Sequence, residues 1–377
     1  MANNNKHTGP NVPALRFPEF SGEWKSIKLG DVLKLKGGYA FKSEKFQDSG
    51  VPVVRISNLP QNSYSVDLSD CVYYECGNYQ NYTVKNGDLL IAMSGATTGK
   101  TAIYRYDYPS YLNQRVGLFA PKELVHNQFL YPIVESKTFI SQLGSKLVAG
   151  AQPNISSQDI ETIAVGLPSK EEQIKIAHLF ELLNQKIETQ SKIIEEQETL
   201  LKSLADSLIS SQVANMALND CVVARSSAMK ESELENSGPF PVFGASGLCG
   251  YSNEALEESD SILVTKDGSG VGTCQYATGA HAFLGTLCSL TAKEGVYLPY
   301  VYYALLNFNF ASFKTGLAIP HIYFKDYGNA VIYCPSYDEQ VRIASGLEKI
   351  EAKIKSDKEL LKQYQLQKEY LLSRMFI

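Results

Sequence analysis

A ten-residue segment occurs twice in this chain. Pro168-Ser169-Lys170-Glu171-Glu172-Gln173-Ile174-Lys175-Ile176-Ala177 returns as Pro335-Ser336-Tyr337-Asp338-Glu339-Gln340-Val341-Arg342-Ile343-Ala344, an offset of 167 residues. A long charged stretch with helical periodicity follows each copy. That period is too long for a solenoid unit and suits a duplicated module of one domain plus one helix. At 377 residues the chain has room for two such modules, each burying its own core.

Each marker opens a helix. Ser169 with Glu172, and Ser336 with Glu339, match the S-x-x-E capping box, in which hydroxyl and carboxylate satisfy orphan amides of the first turn. Beyond them Ile176, Phe180, Leu183, Ile187, Gln190, Ile194, Gln197, Leu201, Leu204 and Leu208 alternate four and three apart, a coiled-coil seam with polar breaks. The second helix keeps step at Ile343, Leu347, Ile350, Ile354, Asp357, Leu361, Tyr364, Lys368, Leu371 and Met375. Gln190 and Asp357 hold equivalent seam positions and read as register setters. The first helix is expected over about 172–210, roughly 60 Å long.

The second helix can cover its seam only by running back along the first. The expected fold is therefore α/β (α+β): two globular domains separated by a long antiparallel two-helix coiled coil, with a pseudo-two-fold internal repeat. The divisions are a disordered tail at 1–14, a domain at 15–167, a spacer helix at 168–212, a second domain at 213–334 and a C-terminal spacer helix at 335–377.

Net charge is −5, spread as +2 over residues 1–165, −3 over 166–215, −5 over 216–332 and +1 over 333–377. No segment is a basic clamp, so bulk electrostatics alone would hold DNA weakly, and local loops or a basic partner would have to supply the rest. No secretory signal and no run of about 20 apolar residues is visible, which points to the cytoplasm and away from membranes. Seven cysteines, with no C-x-x-C pair and no histidine at metal spacing, fit reduced thiols rather than a metal site.

The two domains share a plan. Val51-Pro52-Val53-Val54-Arg55-Ile56 and Asp88-Leu89-Leu90-Ile91-Ala92 read as buried strands, and Phe129 to Leu143 as a helix. Asp260-Ser261-Ile262-Leu263-Val264 and Tyr300 to Asn307 answer them in the second copy. Both strands run into glycine turns, Ser94-Gly95-Ala96-Thr97-Thr98-Gly99-Lys100 and Lys266-Asp267-Gly268-Ser269-Gly270-Val271-Gly272, of the kind that bring backbone amides to a ligand. Later, Gly150-Ala151-Gln152-Pro153-Asn154-Ile155 is matched by Gly316-Leu317-Ala318-Ile319-Pro320-His321-Ile322, and Asp159 by Asp326. The first turn is similar to a nucleotide-binding P-loop, but has three residues between its glycines where that motif has four, and Thr273 stands at the place of Lys100.

With these features the chain resembles, along nearly its whole length, the specificity (S) subunit of type I restriction-modification enzymes. The resemblance is carried by Leu15-Arg16-Phe17-Pro18-Glu19-Phe20 with Trp24 and Leu29-Gly30-Asp31, by Gly87-Asp88-Leu89-Leu90-Ile91-Ala92-Met93-Ser94-Gly95, by Leu112-Asn113-Gln114-Arg115 and by Gln152-Pro153-Asn154-Ile155-Ser156. The second domain adds Pro239-Phe240-Pro241-Val242-Phe243-Gly244-Ala245-Ser246-Gly247 and Gly250-Tyr251. It departs at its start, where Leu218-Asn219-Asp220 replaces Leu29-Gly30-Asp31 and no tryptophan precedes it.

The resemblance implies two target-recognition domains, each reading one half of a bipartite site on double-stranded DNA. It implies helices that dock two methyltransferase (modification) subunits, with restriction subunits joining that core. The chain itself would be non-catalytic and without cofactor. S-adenosylmethionine, ATP and Mg would serve the partner subunits, and this chain carries no asparagine- or aspartate-Pro-Pro-aromatic methyltransferase motif.

Residues of types that contact base edges or phosphates are Asn58, Lys100, Asn113, Gln114 and Arg115 in the first domain, and Lys266, Ser269, Lys314, His321 and Lys325 in the second. Gln173, Lys175, Gln340 and Arg342 of the repeat markers are the expected partner contacts. Two other readings stay open: a coiled-coil adaptor that binds proteins, and, third, a nucleotide hydrolase built on the Gly95 turn.

Overall fold

The structure, a computed structural model, describes residues 11–60, 63–147, 154–316 and 319–377. Residues 1–10 of the expected tail, and Gly150, Ala151, Gln152, Pro153, Leu317 and Ala318 of the matched motifs, lie outside the described residues. The chain parts into two compact units, one of residues up to Ser191 together with Leu360–Ile377, the other of Lys192–Glu359. Each unit takes part of both long helices, so the division falls inside the helices rather than at their ends.

In the first unit, strands Leu33–Gly37, Val116–Pro121, Leu89–Ala92 and Thr101–Ile103 form an antiparallel four-stranded sheet in that order. A second sheet runs Val72–Tyr74, Val51–Val54, Ser110–Leu112, Thr83–Val84, with its middle pair parallel. Lys25–Lys28 pairs with Ala164–Leu167 beside them. Leu89–Ala92 is buried at every position, as a continuous apolar strand covered on both faces must be.

The second unit repeats the first sheet strand for strand, and its second sheet has three strands among the described residues where the first unit's has four. Val222–Ser226, Leu287–Ala292, Ser261–Thr265 and Cys274–Ala277 form the first sheet, all antiparallel. Gly247–Ser252, Phe240–Gly244 and Ala282–Phe283 form the second, again with one parallel pair. Met216–Ala217 pairs with Val331–Ile332.

The start of the second domain follows the first despite its changed sequence. Leu29–Val32 and Leu218–Cys221 are equivalent one-turn helices. Leu29 N–H donates to Ile163 O and Leu218 N–H to Ala330 O, both at 2.9 Å, and these acceptors lie 167 residues apart. Lys122 Nζ donates to Gly30 O at 2.5 Å and Lys293 Nζ to Asn219 O at 2.6 Å. A Cβ on Gly30 would sit 3.1 Å from the Cβ of Glu161. In the second unit Gly328 stands at the place of Glu161, and Asn219 replaces the glycine and donates from Nδ2 to Asn329 Oδ1 at 2.9 Å. The glycine has changed sides of the contact, so the frame survives the loss of the Leu-Gly-Asp motif.

The long helices span Lys170–Ala205 and Tyr337–Met375. In the first unit they run antiparallel: Phe180 meets Phe376 with ring centroids 5.9 Å apart, while Lys186, further along, lies over Tyr364. The seam is buried at Ile176, Phe180, Leu183, Ile187, Gln190, Ile194 and Leu201, and at Ile343, Leu347, Ile354, Asp357, Lys368 and Met375. Leu208 is exposed and Ile209 buried in its stead, because the helix passes into a π-helical turn at Asp206–Ser210 that moves the seam on by one residue. Asp357 accepts from Gln197 Nε2 at 2.9 Å and from Lys353 Nζ at 2.6 Å, so two polar breaks of the seam meet in the second unit.

Two local expectations are corrected. The carboxylates of the two capping boxes do not turn back to cap their helices: Glu172 binds Arg16 and Glu339 binds Arg342, although the Ser169 hydroxyl does accept from Glu172 N–H at 3.3 Å. The helix expected over Phe129–Leu143 is two, Leu130–Glu135 and Lys137–Leu147. Ser136 between them is extended, with ψ 149°, and its hydroxyl accepts from Phe139 N–H at 3.3 Å, a serine cap that starts a new helix.

Candidate nucleic-acid interface

Each glycine turn closes a hairpin. In the first unit Gly99 N–H returns to Ala92 O at 2.8 Å and Ala92 N–H to Lys100 O at 2.8 Å. In the second, Gly272 N–H returns to Thr265 O and Thr265 N–H to Thr273 O, both at 2.9 Å. The chain then enters an antiparallel strand, not a helix, which removes the phosphate-cradling geometry of a P-loop. Gly99 and Gly272 have φ +87° and +91°, and a Cβ there would lie 2.9 Å from Leu143 Cδ2 and 2.7 Å from Phe310 Cβ. These two glycines serve packing.

Beside the first hairpin lies an open groove of about 800 Å³. One wall is the residues after Leu89–Ala92, namely Met93, Ser94 and Gly95. The other is the turn Gln114–Arg115, and Asn154–Ile155 closes the floor. Backbone bonds hold the walls: Met93 N–H donates to Arg115 O and Ile155 N–H to Met93 O, both at 2.9 Å, and Ser94 bridges to Asn154. Gln114 and Arg115 are exposed, and among the described residues neither side chain has a hydrogen-bond or ion-pair partner.

The second unit has the same frame. Lys266 N–H donates to Thr286 O and Ile322 N–H to Lys266 O, both at 2.9 Å, and Asp267 bridges to His321. Register therefore equates Met93 with Lys266, Ser94 with Asp267, Arg115 with Thr286 and Asn154 with His321. Met93 Sδ would lie 2.9 Å from a Cβ on Gly117, whose place in the second unit is taken by Cys288. Burial pushes the Cys288 thiol up, and the Lys266 charge opposes that shift.

The structure gathers some predicted residues and disperses others. Gln114 and Arg115 share the first groove, and Lys266, Ser269 and His321 share the second turn. The His321 ring meets Tyr323 edge-on at 5.2 Å, and Lys325 Nζ lies 5.4 Å from the Tyr323 centroid, which extends the same surface. Lys314 is exposed next to Thr315, the bridge partner of His321. Asn113 is buried, its Oδ1 accepting from Arg115 N–H at 3.4 Å, so it shapes the turn. Lys100 lies on the other side of the hairpin, in a hollow with Tyr64, Glu135 and Lys368.

Three expected contact residues are corrected. Asn58 is buried, with Oδ1 accepting from Arg55 N–H at 2.9 Å and Nδ2 donating to Asp67 O at 2.9 Å, so it closes a loop. Gln173 and Gln340 are buried fasteners of their own domains. Gln173 accepts from His126 N–H and Gln340 from Tyr297 N–H, both at 2.8 Å, while their amides donate to Pro168 O and Pro335 O. The repeated glutamine thus ties each long helix to the loop before a shorter one. Lys175 is exposed beside Glu19 and Phe17, and Arg342 is exposed and bound to Glu339.

Sequence reasoning did not single out Asn154 or Asp267 as site residues. Asn154 lies 167 residues before His321, the repeat offset itself, and that spacing was the signal for it.

The family model described as the type I restriction modification DNA specificity domain matches the chain twice, over residues 21–199 and 211–365. The chain is 28% identical over 207 residues to the type I restriction enzyme MjaVIII specificity subunit of Methanocaldococcus jannaschii, covering 53% of this chain and 49% of that one. It is 29% identical over 193 residues to the type I restriction enzyme EcoAI specificity subunit of Escherichia coli, covering 49% of this chain and 32% of that one. The chain spans about half or less of the length of the curated relatives it matches. Among solved structures, the S subunit of the type I restriction-modification system from M. genitalium has the same fold, with TM-score 0.68 and 18% identity over 97% of this chain and 99% of that one. A chain from a study of complex assembly and conformational transition of the type I R-M system gives TM-score 0.52 at 16% identity, over 93% of this chain and 96% of that one.

Proposed function

Since the chain belongs to the type I restriction-modification DNA specificity family, we propose that it is the DNA-reading component of a type I restriction-modification complex. Each unit reads one half of a bipartite target. The observation that carries this reading is the backbone frame that recurs in both units, furnished with different side chains in each. Equal frames with unequal furnishing are what two different half-sites require, because base edges are told apart by which donors and acceptors face them.

The chain is non-catalytic in this reading. Methyl transfer with S-adenosylmethionine, and ATP- and Mg-dependent cleavage, fall to methyltransferase and restriction subunits, with the long helices docking the former in the cytoplasm. A net charge of −5 leaves the chain few phosphates to neutralise by itself. Sequence-specific binding is therefore expected to be weak for the chain alone and strong for the complex.

The test is methylome sequencing of the host with and without this gene, and with residues 219–332 replaced by the corresponding domain of a relative. Loss of one bipartite motif in the deletion, and a change in one half of it in the exchange, are expected. If both halves change, or neither does, the modular reading fails. A deletion that alters no methylation would favour a protein-binding adaptor instead.

A further inference from the structure

The backbone frame beside the glycine turn occurs in both units, and the positive charge sits on opposite sides of it. In the first, Arg115 stands on the turn that follows Ser110–Leu112, and Met93 on the facing wall is uncharged. In the second, Lys266 stands at the place of Met93, and Thr286 at the place of Arg115. Among the described residues neither cation has an ion-pair partner, whereas Arg16, Arg105 and Arg342 each hold a carboxylate. The backbone of Arg115 is held by Met93 N–H and Asn113 Oδ1, so its guanidinium is presented from a fixed base.

A free cation on a DNA-facing surface meets either phosphate or base. The neighbours decide between them. Lys266 is followed by Asp267, whose carboxylate would repel a phosphate but accepts hydrogen bonds from the exocyclic amino group of cytosine or adenine. His321 lies across from Asp267, and in the first groove Gln114 and Asn154 flank Arg115. The carboxylate favours a base edge over a phosphate, and the amides beside Arg115 are of the type that reads base edges and also contacts phosphate. The base edge that offers two adjacent acceptors to an arginine or lysine is guanine, through O6 and N7.

We propose that Arg115 and Lys266 are the guanine-reading residues of their respective units, approaching the base edge from opposite sides of a shared frame. The proposal rests on the DNA-specificity reading above. It follows that each half of the target holds a guanine, and that the two halves differ because the donor has changed sides while the frame has stayed.

Methylome sequencing of the host carrying Arg115→Ala, Arg115→Lys or Lys266→Met tests this. Arg115→Ala should relax one guanine position of one half-site, with discrimination there falling roughly ten- to hundredfold, and leave the other half strict. Lys266→Met should do the converse. Arg115→Lys should keep part of the preference at the same position. The proposal is overturned if Arg115→Ala leaves every position strict, if it weakens modification of all sequences uniformly as a phosphate contact would, or if it abolishes modification and Arg115→Lys does not restore it. Absence of any bipartite motif with the unaltered chain would defeat the functional reading itself, a distinct result.

Discussion

Arg16 holds Glu172 through two hydrogen bonds of 2.7 Å, and the side chains keep only 4% and 1% of their surface exposed. The guanidinium also donates to Gly22 O at 2.5 Å and Ser21 O at 3.2 Å, so four of its five N–H groups are engaged. Nearby, Lys175 lies 4.7 Å from the Phe17 centroid and pairs with Glu19. The Leu15–Phe20 motif is thereby fastened to the first repeat marker.

Removing one partner of such a pair leaves a buried charge without compensation. Arg16→Ala is expected to lower stability by about 3–5 kcal/mol, and Arg16→Lys to lower it too, since an ammonium cannot reproduce the two-pronged geometry. Urea denaturation reads both. An unchanged midpoint in Arg16→Ala would contradict the assignment.

Glu135 and Lys368 form a second buried pair, at 2.7 Å, with Lys368 Nζ 3.3 Å from the Tyr64 centroid. Burial raises the Glu135 carboxyl and lowers the Lys368 amine, in each case against the pull of the partner, and burial with the nearby Glu135 and Glu188 pushes the Tyr64 hydroxyl up to about 12. A carboxyl raised on folding keeps its proton longer in the folded than in the unfolded chain. Its contribution to stability therefore diminishes as pH rises from the ordinary carboxylate range through the folded value. Lys368→Met alone should destabilise by about 3–5 kcal/mol, and Lys368→Met combined with Glu135→Leu should recover most or all of that loss. Thermal unfolding at neutral pH measures it, and a double variant no better than the single one would refute the pairing energetics.

Ser156 and Asp159 make a full capping box: Asp159 N–H donates to Ser156 Oγ at 3.1 Å and Ser156 N–H to Asp159 Oδ2 at 3.0 Å. The Ser156 hydroxyl and backbone amide hold the Asp159 carboxyl below its usual range. The stability it supplies is present above the unfolded value and is lost as pH falls through the folded one. Ser156→Ala should cost about 1 kcal/mol at neutral pH, discounted for exposure, with the difference from the unaltered chain shrinking in acid. A difference that grows in acid would reverse the sign of the argument.

Gly99 and Gly144 should respond oppositely to alanine. Gly99 has φ +87° and Leu143 Cδ2 2.9 Å from any added Cβ, whereas Gly144 lies in the helix Lys137–Leu147 with nothing within 4 Å. Gly99→Ala is expected to destabilise by about 1–3 kcal/mol, and Gly144→Ala to stabilise by up to about 1 kcal/mol. Chemical denaturation of the two variants compares them directly, and shifts of the same sign would be inconsistent with these environments.

The duplication, the long helices and most of the seam were legible in the sequence because periodicity is a local property. Ile176, Phe180 and Leu183, and Ile343 and Leu347, had to share a face once a helix formed, and the 167-residue offset carried that pattern from one copy to the other. Phase at the helix end was not legible, since the π turn at Asp206–Ser210 depends on how the chain leaves the helix. Residue type also identified Arg115 and Lys266 as candidates, but it did the same for Asn58, whose burial only the loop around it reveals.

Tertiary structure decided which polar residues are free. Gln173 and Gln340 were conspicuous as repeated residues, and they repeat because each satisfies a buried backbone amide, a need invisible until His126 and Tyr297 are brought beside them. The same holds for Glu172, which the sequence alone assigns to its own helix cap and the fold gives to Arg16. The opposed placement of Arg115 and Lys266 emerged only when backbone hydrogen bonds aligned Met93 with Lys266 and Arg115 with Thr286. The sequence by itself determined two copies of one fold, because spacing along the chain sets periodicity. The structure decided how the copies differ in their polar side chains, because hydrogen-bond partners come from residues distant in the chain and only folding brings them within reach.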